Sequence, residues 1–456
     1  MKKMLTKVAV GLSVGLLAFA ALPVFTPEVS AQDRIQLRYA NWNFGTEGEA
    51  NIERLMIEAY NNSQDEVEVV IDQNIDTSDW TGSLATAASA GDLPDVFMLN
   101  SIPTAYTNEW LLDITDLAEA DAEFAEIPQA TIDATKVNDR VYALPFATHL
   151  LGYYVNHDLL NNANLQMSDN VTVDEFFDLV RSATDVNQGY VGIVQAGSIV
   201  DWYPGAMNPD FGWFTFNSTD GTFSLDSNEM AQGVNMARDL GANGFTYADQ
   251  PQEVKDSLSG DDGGLAFRSG QVAFNYDGTW QNATLADQAN FEWSFIGLPG
   301  DRNAIVNDFL GIAANTEYPE QAYAFAKFMS FGADGFSTRM DLTEENNLQF
   351  NTLPLTSNQE NLDRYWSLVD APGVAEAFAQ LDNAMIDPLK VVPGYAQSRF
   401  EAPTGVSVGD NENANVGAII NASVNGTVNF QDYAAQLQEL AQAAHDEAVQ
   451  AMEAIQ

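Results

Sequence analysis

The chain has 456 residues, 46% of them hydrophobic, no cysteine, and a formal charge of -47 from 65 carboxylates against 18 lysines and arginines. That apolar content excludes a disordered chain, and the length exceeds one core and suits two domains. Lack of cysteine excludes disulfides, thiolate metal sites and a cysteine nucleophile, and so acidic a surface repels nucleic acid and anionic lipid.

Lys2, Lys3 and Lys7 precede an apolar run from Val8 to Leu22, and Val29-Ser30-Ala31 offers small residues suited to signal peptidase. Residues 1-31 are therefore expected to be a secretory signal peptide, cleaved near Ala31. An uncleaved anchor is the alternative, although the run is shorter than the ~20 apolar residues of a span. No later segment is long and apolar enough to cross a bilayer, so the mature chain is expected to be soluble, in a periplasm or at the cell surface. Cleavage removes three lysines and Glu28, which moves the charge from -47 to -49, and leaves only Lys136, Lys255, Lys327 and Lys390 among the lysines.

The elements follow from periodicity. Arg34 to Trp42 alternates Ile35, Leu37 and Tyr39 with polar neighbours and reads as a strand. Ile52, Leu55, Met56 and Ala59 mark one face of a helix beginning near Glu47. Glu66 to Ile71 is a strand, Asp79 to Ala90 a helix stopped by Gly91, and Asp95 to Leu99 a strand entered through Pro94. This β-α-β-α-β order argues for a mostly parallel sheet covered by helices. A second α/β unit begins after Tyr142-Ala143-Leu144-Pro145, with strand Gly152 to Asn156, helix Val173 to Ala183, strand Gly189 to Val194 and helix Ser227 to Ala242. Gly270 to Tyr276 is strand-like, Phe291 to Leu298 is a short apolar run, and Asp308 to Ala314 starts a strand before the helix Pro319 to Ser330. A long amphipathic helix from about Phe430 ends the order. No internal repeat and no single linker separates two consecutive domains.

Five segments carry a likeness. They are Ala88 to Asn100; Leu144-Pro145-Phe146 with Gly152-Tyr153-Tyr154-Val155-Asn156; Ser269 to Phe274 running into Asp277-Gly278-Thr279-Trp280; Asn307 to Ala313 with Pro319-Glu320-Gln321-Ala322; and Ala418 to Gln438 turning at Gly426. In this order the chain resembles the extracellular solute-binding proteins of ABC importers, family 1, the sugar- and oligosaccharide-binding, maltose-binding-protein-like group. His157-Asp158-Leu159 stands where that family has Lys-Asp-Leu, and the lipidated cysteine common in single-membrane bacteria is missing.

The resemblance implies a two-lobed α/β fold, each lobe a mostly parallel sheet flanked by helices and joined by several crossovers with a hinge. The expected first lobe is 32-146 with 303-346, and the second 147-302 with 347-456. It implies a monomeric receptor, not an enzyme, that closes on a sugar or oligosaccharide and delivers it to the membrane permease of an ABC importer, without cofactor. Open α/β sheets bind ligands beyond the carboxyl ends of their strands. The expected contacts are Trp42, Asn43, Glu47, Asn100 and Tyr106 from the first lobe, His149 near the crossover, Trp202, Tyr203, Asp277 and Trp280 from the second, and Asp308 and Arg399 near later crossovers. Sugar sites pair aromatic platforms with such polar groups. The plain alternatives are a core tryptophan for Trp280, simple loop packing for Trp202 and Tyr203, a satisfied buried histidine for His149, and pairing with an acid for Arg399.

Other chemistry is set aside. Gly11-Leu12-Ser13-Val14-Gly15 matches a hydrolase elbow only inside the signal peptide, and there is no HExxH, Walker A loop or complete EF-hand. Three histidines, His149, His157 and His445, make a weak case for zinc. No catalytic or metal residues are therefore expected. Two alternatives stay open: a receptor for a cationic solute such as a polyamine, and a secreted carbohydrate-active enzyme.

Self-repulsion at this charge is tolerable where salt screens it within ~10 Å, which suggests a saline or alkaline exterior, with a generally acidic secretome as the alternative. The thermal midpoint of the mature chain is expected to rise from dilute buffer to molar NaCl. Equal stability at both would remove the saline reading.

Overall fold

The computed structural model describes residues 34–455 except 46, 47, 49, 351, 357, 382 and 383; the expected signal peptide and Glu47 lie outside the described residues. In the first lobe β1 (Ile35–Ala40) lies between β2 (Val67–Ile71) and β3 (Val96–Leu99), both parallel to it. The intervening helices are α1 (Ile52–Ser63) and α2 (Trp80–Ala90), with α3 (Ile102–Thr107) after β3. Local chemistry sets their ends. The Asn51 side chain accepts the N–H groups of Glu53 and Arg54, so α1 starts at Ile52. Gly91, at φ 69°, returns its N–H to the carbonyls of Ala87 and Ala88 and stops α2.

The chain then runs through β4 (Leu144–Asn156), thirteen residues that are all buried and that extend eight residues upstream of the expected strand. The second lobe adds α4 (Val173–Ala183), β5 (Val191–Ile193), α5 (Ile199–Met207), α6 (Asn228–Ala242), β6 (Val272–Gly278) and β7 (Trp293–Phe295). β8 (Ala304–Ile312) returns to the first lobe, followed by α7 (Pro319–Met329), α8 (Ala333–Glu345) and α9 (Gln359–Leu368). β9 (Met385–Ile386), α10 (Val416–Val424) and α11 (Ala434–Glu453) complete the order.

One sheet of order β2-β1-β3-β8-β4-β6-β5 runs through both lobes, with β9 on β8 and β7 on β4. Outer strands pair in parallel, β1 with β2 and β3, and β5 with β6. Through the middle, β8 is antiparallel to β3 and β4, and β4 is antiparallel to β6 and β7. The architecture is thus a two-lobed α/β fold whose lobes share crossover strands.

Three apolar clusters fill it. The first joins β1 to β3 and their helices with Phe309, Leu310 and α7. Alternation along β4 makes the other two: Leu151, Tyr153 and Val155 enter a cluster with α4, α5, α6, α10 and α11, while Leu150 and Tyr154 enter one with Phe267, Phe336, Met340 and Tyr365. Both faces of the second-lobe sheet are therefore covered. Met452 near the end of α11 instead joins the first cluster, so this helix spans the two lobes. Among the described residues no helix is long and apolar enough to cross a membrane.

One buried ion pair pins α8 to α1. Arg339 meets Glu53 through two bonds of 2.8 and 3.0 Å, donates to the Met329 carbonyl at 3.0 Å, and lies 6.0 Å from the Phe146 ring. Arg339→Met takes the guanidinium from a carboxylate that is 1% exposed and is expected to cost about 3–5 kcal/mol in urea unfolding. The double change Arg339→Met with Glu53→Leu is expected to recover much of that loss.

Candidate functional site

Registry assembles the site's floor. His149 pairs with Val306, Ala147 with Asp308, and Tyr153 with Tyr276, and alternation puts His149, Leu151 and Tyr153 of β4 on one face with Tyr276, Val306 and Asp308. Just past β6, the turn Thr279–Gln281 carries Trp280. Its ring folds back over Gly278, where a Cβ would stand 2.3 Å from ring atoms, and meets His149 edge-on at 5.3 Å. Only a glycine at 278 leaves room for that ring position.

Above this floor opens a cavity of about 400 Å³, lined by Leu151, Tyr276, Asp277, Trp280 and, from the chain after β9, Asp387, Leu389, Tyr395, Arg399 and Phe400. Trp280 is 44% exposed, Leu389 39% and Phe400 52%. They are three of the five large apolar side chains exposed among the described residues, so the exposure is gathered at one place. A second cavity of about 640 Å³ adjoins it between Thr81, Asn100 and α3 of the first lobe and the end of α11.

Arg399 is held rigidly. Asp201 of α5 binds it at 2.6 Å, the Tyr395 hydroxyl accepts from it, and its guanidinium lies 4.1 Å from the centre of the Phe214 ring and 5.2 Å from that of Phe400. Burial lowers its proton affinity, but Asp201 and Tyr395 more than reverse this, so the group stays cationic. Phe214 and Thr215 take φ of 54° and 63°, an uncommon backbone for such residues, in the turn that brings the ring beneath the guanidinium. Among the described residues the buried Tyr276 hydroxyl and Arg399 Nε have no hydrogen-bond partner, which leaves polar capacity at the cavity. Burial pushes the carboxyl groups of Asp277 and Asp387 up from the usual aspartate range.

The first-lobe side is tied in by Lys390. Its ammonium pairs with Asp308 and lies 6.0 Å from the centre of the Trp42 ring, which packs edge-on against Trp80 at 5.1 Å. Trp42, Lys390, Asp308, His149 and Trp280 thus follow one another as neighbours, and Asp277 and Arg399 line the same cavity as Trp280.

Other expected contacts lie elsewhere. Trp202 is wholly buried and donates to the Tyr153 hydroxyl at 3.1 Å, because 199–207 is a helix packed on the sheet rather than an open loop. Tyr203, buried beside it, reaches Gln232 on α6. Tyr106 is a core residue of the first lobe, edge-on to Tyr142 at 4.8 Å. Apolar packing thus holds these three rings away from the two cavities. Asn43 is half-buried, its N–H bonded to Asn41 and its carbonyl to Asn51, so its backbone shapes the end of β1. Asn100 is exposed, donates to Thr81, and lines the second cavity.

Sequence reasoning passed over Asp201, Tyr276, Asp387, Leu389, Lys390 and Phe400. A signal was available for some of them: 387–401 has Pro388 and Pro393-Gly394 but no helical or strand periodicity, and so unpatterned a stretch with exposed apolar residues suits a loop that carries function. Among the described residues no group of three His, Asp or Glu is arranged to hold a metal ion.

A sequence profile described as bacterial extracellular solute-binding protein matches residues 55–344. No curated protein matches the chain. Among solved structures it is similar to an ABC substrate-binding protein from Listeria monocytogenes in complex with cycloalternan, at 20% identity over 92% of this chain and 100% of that one, with a TM-score of 0.66. It is also similar to a cyclic alpha-maltosyl-1,6-maltose binding protein from Arthrobacter globiformis, at 17% identity over 91% and 100%, TM-score 0.64. A third is the GacH receptor of Streptomyces glaucescens, at 14% identity over 91% and 99%, TM-score 0.64. At these identities the likeness shows the fold.

His149 gives a pH test. Burial lowers its imidazole from 6.5 to about 4, Asp308 opposing and Lys390 adding to the effect. Between those values the unfolded chain holds a proton that the folded one does not. Stability therefore falls as pH drops from about 6.5 to about 4, by at most about 3 kcal/mol, and this contribution levels off below. His149→Asn is expected to show the shallower decline in urea unfolding across that window; equal slopes would remove the effect.

Proposed function

Because the chain belongs to the bacterial extracellular solute-binding proteins, we propose that it is a non-catalytic receptor that captures a sugar or oligosaccharide between its lobes and hands it to an ABC permease. The observation that carries this reading is the gathering of Trp280, Leu389 and Phe400 at a cavity that also offers Asp277, Tyr276 and Arg399. Sugars present apolar ring faces and edge hydroxyls, and this lining answers both. Solved relatives of the same fold are described with cycloalternan and as a cyclic maltosyl-maltose binding protein, which supports the saccharide class.

On this reading the lobes 32-146 with 303-346 and 147-302 with 347-456 close about crossovers near Phe146 to His149, where hinge motion needs only a few backbone angles to change. The contacts are Trp280 as platform, Asp277 and Arg399 as polar groups, Trp42, Asp308 and His149 as the adjoining wall, and Asn100 on the far side. Residues 1-31 direct export and are removed near Ala31, and the mature receptor acts as a monomer. A cationic solute is the second reading, favoured by one observation: Asp277 and Asp387 line the cavity with no ion pair to a lysine or arginine among the described residues.

A thermal-shift screen of the mature protein tests both, with mono- and oligosaccharides, polyamines and amino acids at low and high salt. At a hundredfold excess over its dissociation constant a ligand stabilises by about 2.7 kcal/mol. A saccharide shift that survives salt is expected, with Trp280→Ala weakening binding by about 1–2 kcal/mol, roughly tenfold. A shift with polyamines alone that fades with salt would replace the sugar. Release of reducing ends from the bound saccharide would replace the receptor with an enzyme.

A further inference from the structure

Two chambers meet at Leu389 and Phe400, and together they are larger than a single ring requires. The chamber at Trp280 holds about 400 Å³ and its neighbour about 640 Å³. Each alone has the size of a small-molecule site, ~300–1,000 Å³. Their linings differ in chemistry. The first mixes aromatic rings with carboxylates and Arg399, while the second sets Thr81, Asn100, Ser101 and Thr104 opposite Ala448 and Met452 of α11. Hydroxyl and amide groups of that kind exchange hydrogen bonds with a polyol, and the carboxylates of Glu401 and Glu447 in the same lining accept from its hydroxyls as well.

Leu389 and Phe400 are the residues common to both linings. They are also two of the most exposed large apolar side chains among the described residues. Exposed apolar surface costs about 25 cal/mol per Å² against its burial, so a ligand covering them gains on each side of the divide. A solute confined to the Trp280 chamber covers one side of each.

We infer that the solute is an extended oligosaccharide, with consecutive rings in both chambers and Leu389 and Phe400 as the residues that select for length. The inference rests on the saccharide reading of the cleft and deepens it. Rings on the Trp280 side use the aromatic platform and the fixed polar groups, and rings beyond Phe400 use the hydroxyl-lined groove. A monosaccharide fills only the first.

Isothermal titration of the full mature chain tests this with glucose, maltose and maltotriose, with cellobiose and cellotriose, and with xylose, xylobiose and xylotriose. One saccharide per protein is expected, with affinity rising roughly tenfold or more from one ring to three in the series that binds, since each further platform is worth about that factor. Two variants act on the divide and the groove: Phe400→Ala removes an exposed ring, and Ala448→Trp fills the second chamber. Both are expected to pull the ratio of trisaccharide to monosaccharide affinity toward one, with melting curves checking that each is folded. Equal affinity at every length, two monosaccharides per protein, or an unchanged ratio in both variants overturns the inference and leaves the sugar reading standing. No binding by any of the three series overturns both.

Discussion

The antiparallel pairing of β4 with β8 is the constraint on which the rest of the molecule depends. Seven register pairs run from Ala304 opposite Leu151 to Leu310 opposite Leu144, with a shift between Asp308 and Phe309. One end of this ribbon belongs to the first apolar cluster, through Leu144, Phe146, Phe309 and Leu310. The other belongs to the second and third, through Leu150, Leu151, Ala304 and Ile305. The lobes cannot be built independently, because two of their central strands are the same strands. Where the ribbon passes from one lobe to the other it must present polar or small side chains on its open face, and it presents His149 and Asp308 there.

Scarce cations are placed at joints. After the expected signal peptide the chain keeps four lysines and eleven arginines. Arg339 fastens α8 to α1 in the core of the first lobe, Lys327 of α7 holds Asp121 and Glu123, Arg399 fixes the loop before α10 to α5, and Lys390 ties the same loop to β8. In a chain so acidic, a buried cation is satisfied by the nearest carboxylate without any need for special spacing. That is why Arg399, expected as a ligand contact with pairing as its alternative, is found paired: its outer nitrogens are occupied by Asp201 and Tyr395 while its side chain lines the cavity.

The limits of reading the sequence have physical causes in particular residues. Gly91 and the all-buried run from Val96 to Leu99 were legible because helix termination and strand burial are local. The strand that ends beside Asp277 and Trp280 was legible for the same reason. Trp202 and Tyr203 lie in a helix where a loop was expected, because an apolar run after a short loop can continue as a helix, and a helix packed on a sheet buries its rings. Leu389, Lys390 and Phe400 gave no periodic signal, since the chain there follows the shape of the space between lobes rather than a repeat of its own. The length of β4 was underestimated for a related reason: polar Thr148 and His149 interrupt its apolar pattern, yet hydrogen bonds to neighbouring strands carry the strand through them.

By itself the sequence determined the α/β class, the helix end set by Gly91, and the excess of negative charge. Each of these depends on composition or on neighbours a few residues apart. Only the tertiary structure decided that one sheet serves both lobes, that Arg399 meets Asp201 and Phe214, that Lys390 reaches Asp308 and Trp42, and that Leu389 and Phe400 divide the cleft. Those contacts join segments that are far apart along the chain, and their partners are selected by strand register and by which surfaces burial leaves open, neither of which is a property of any local stretch.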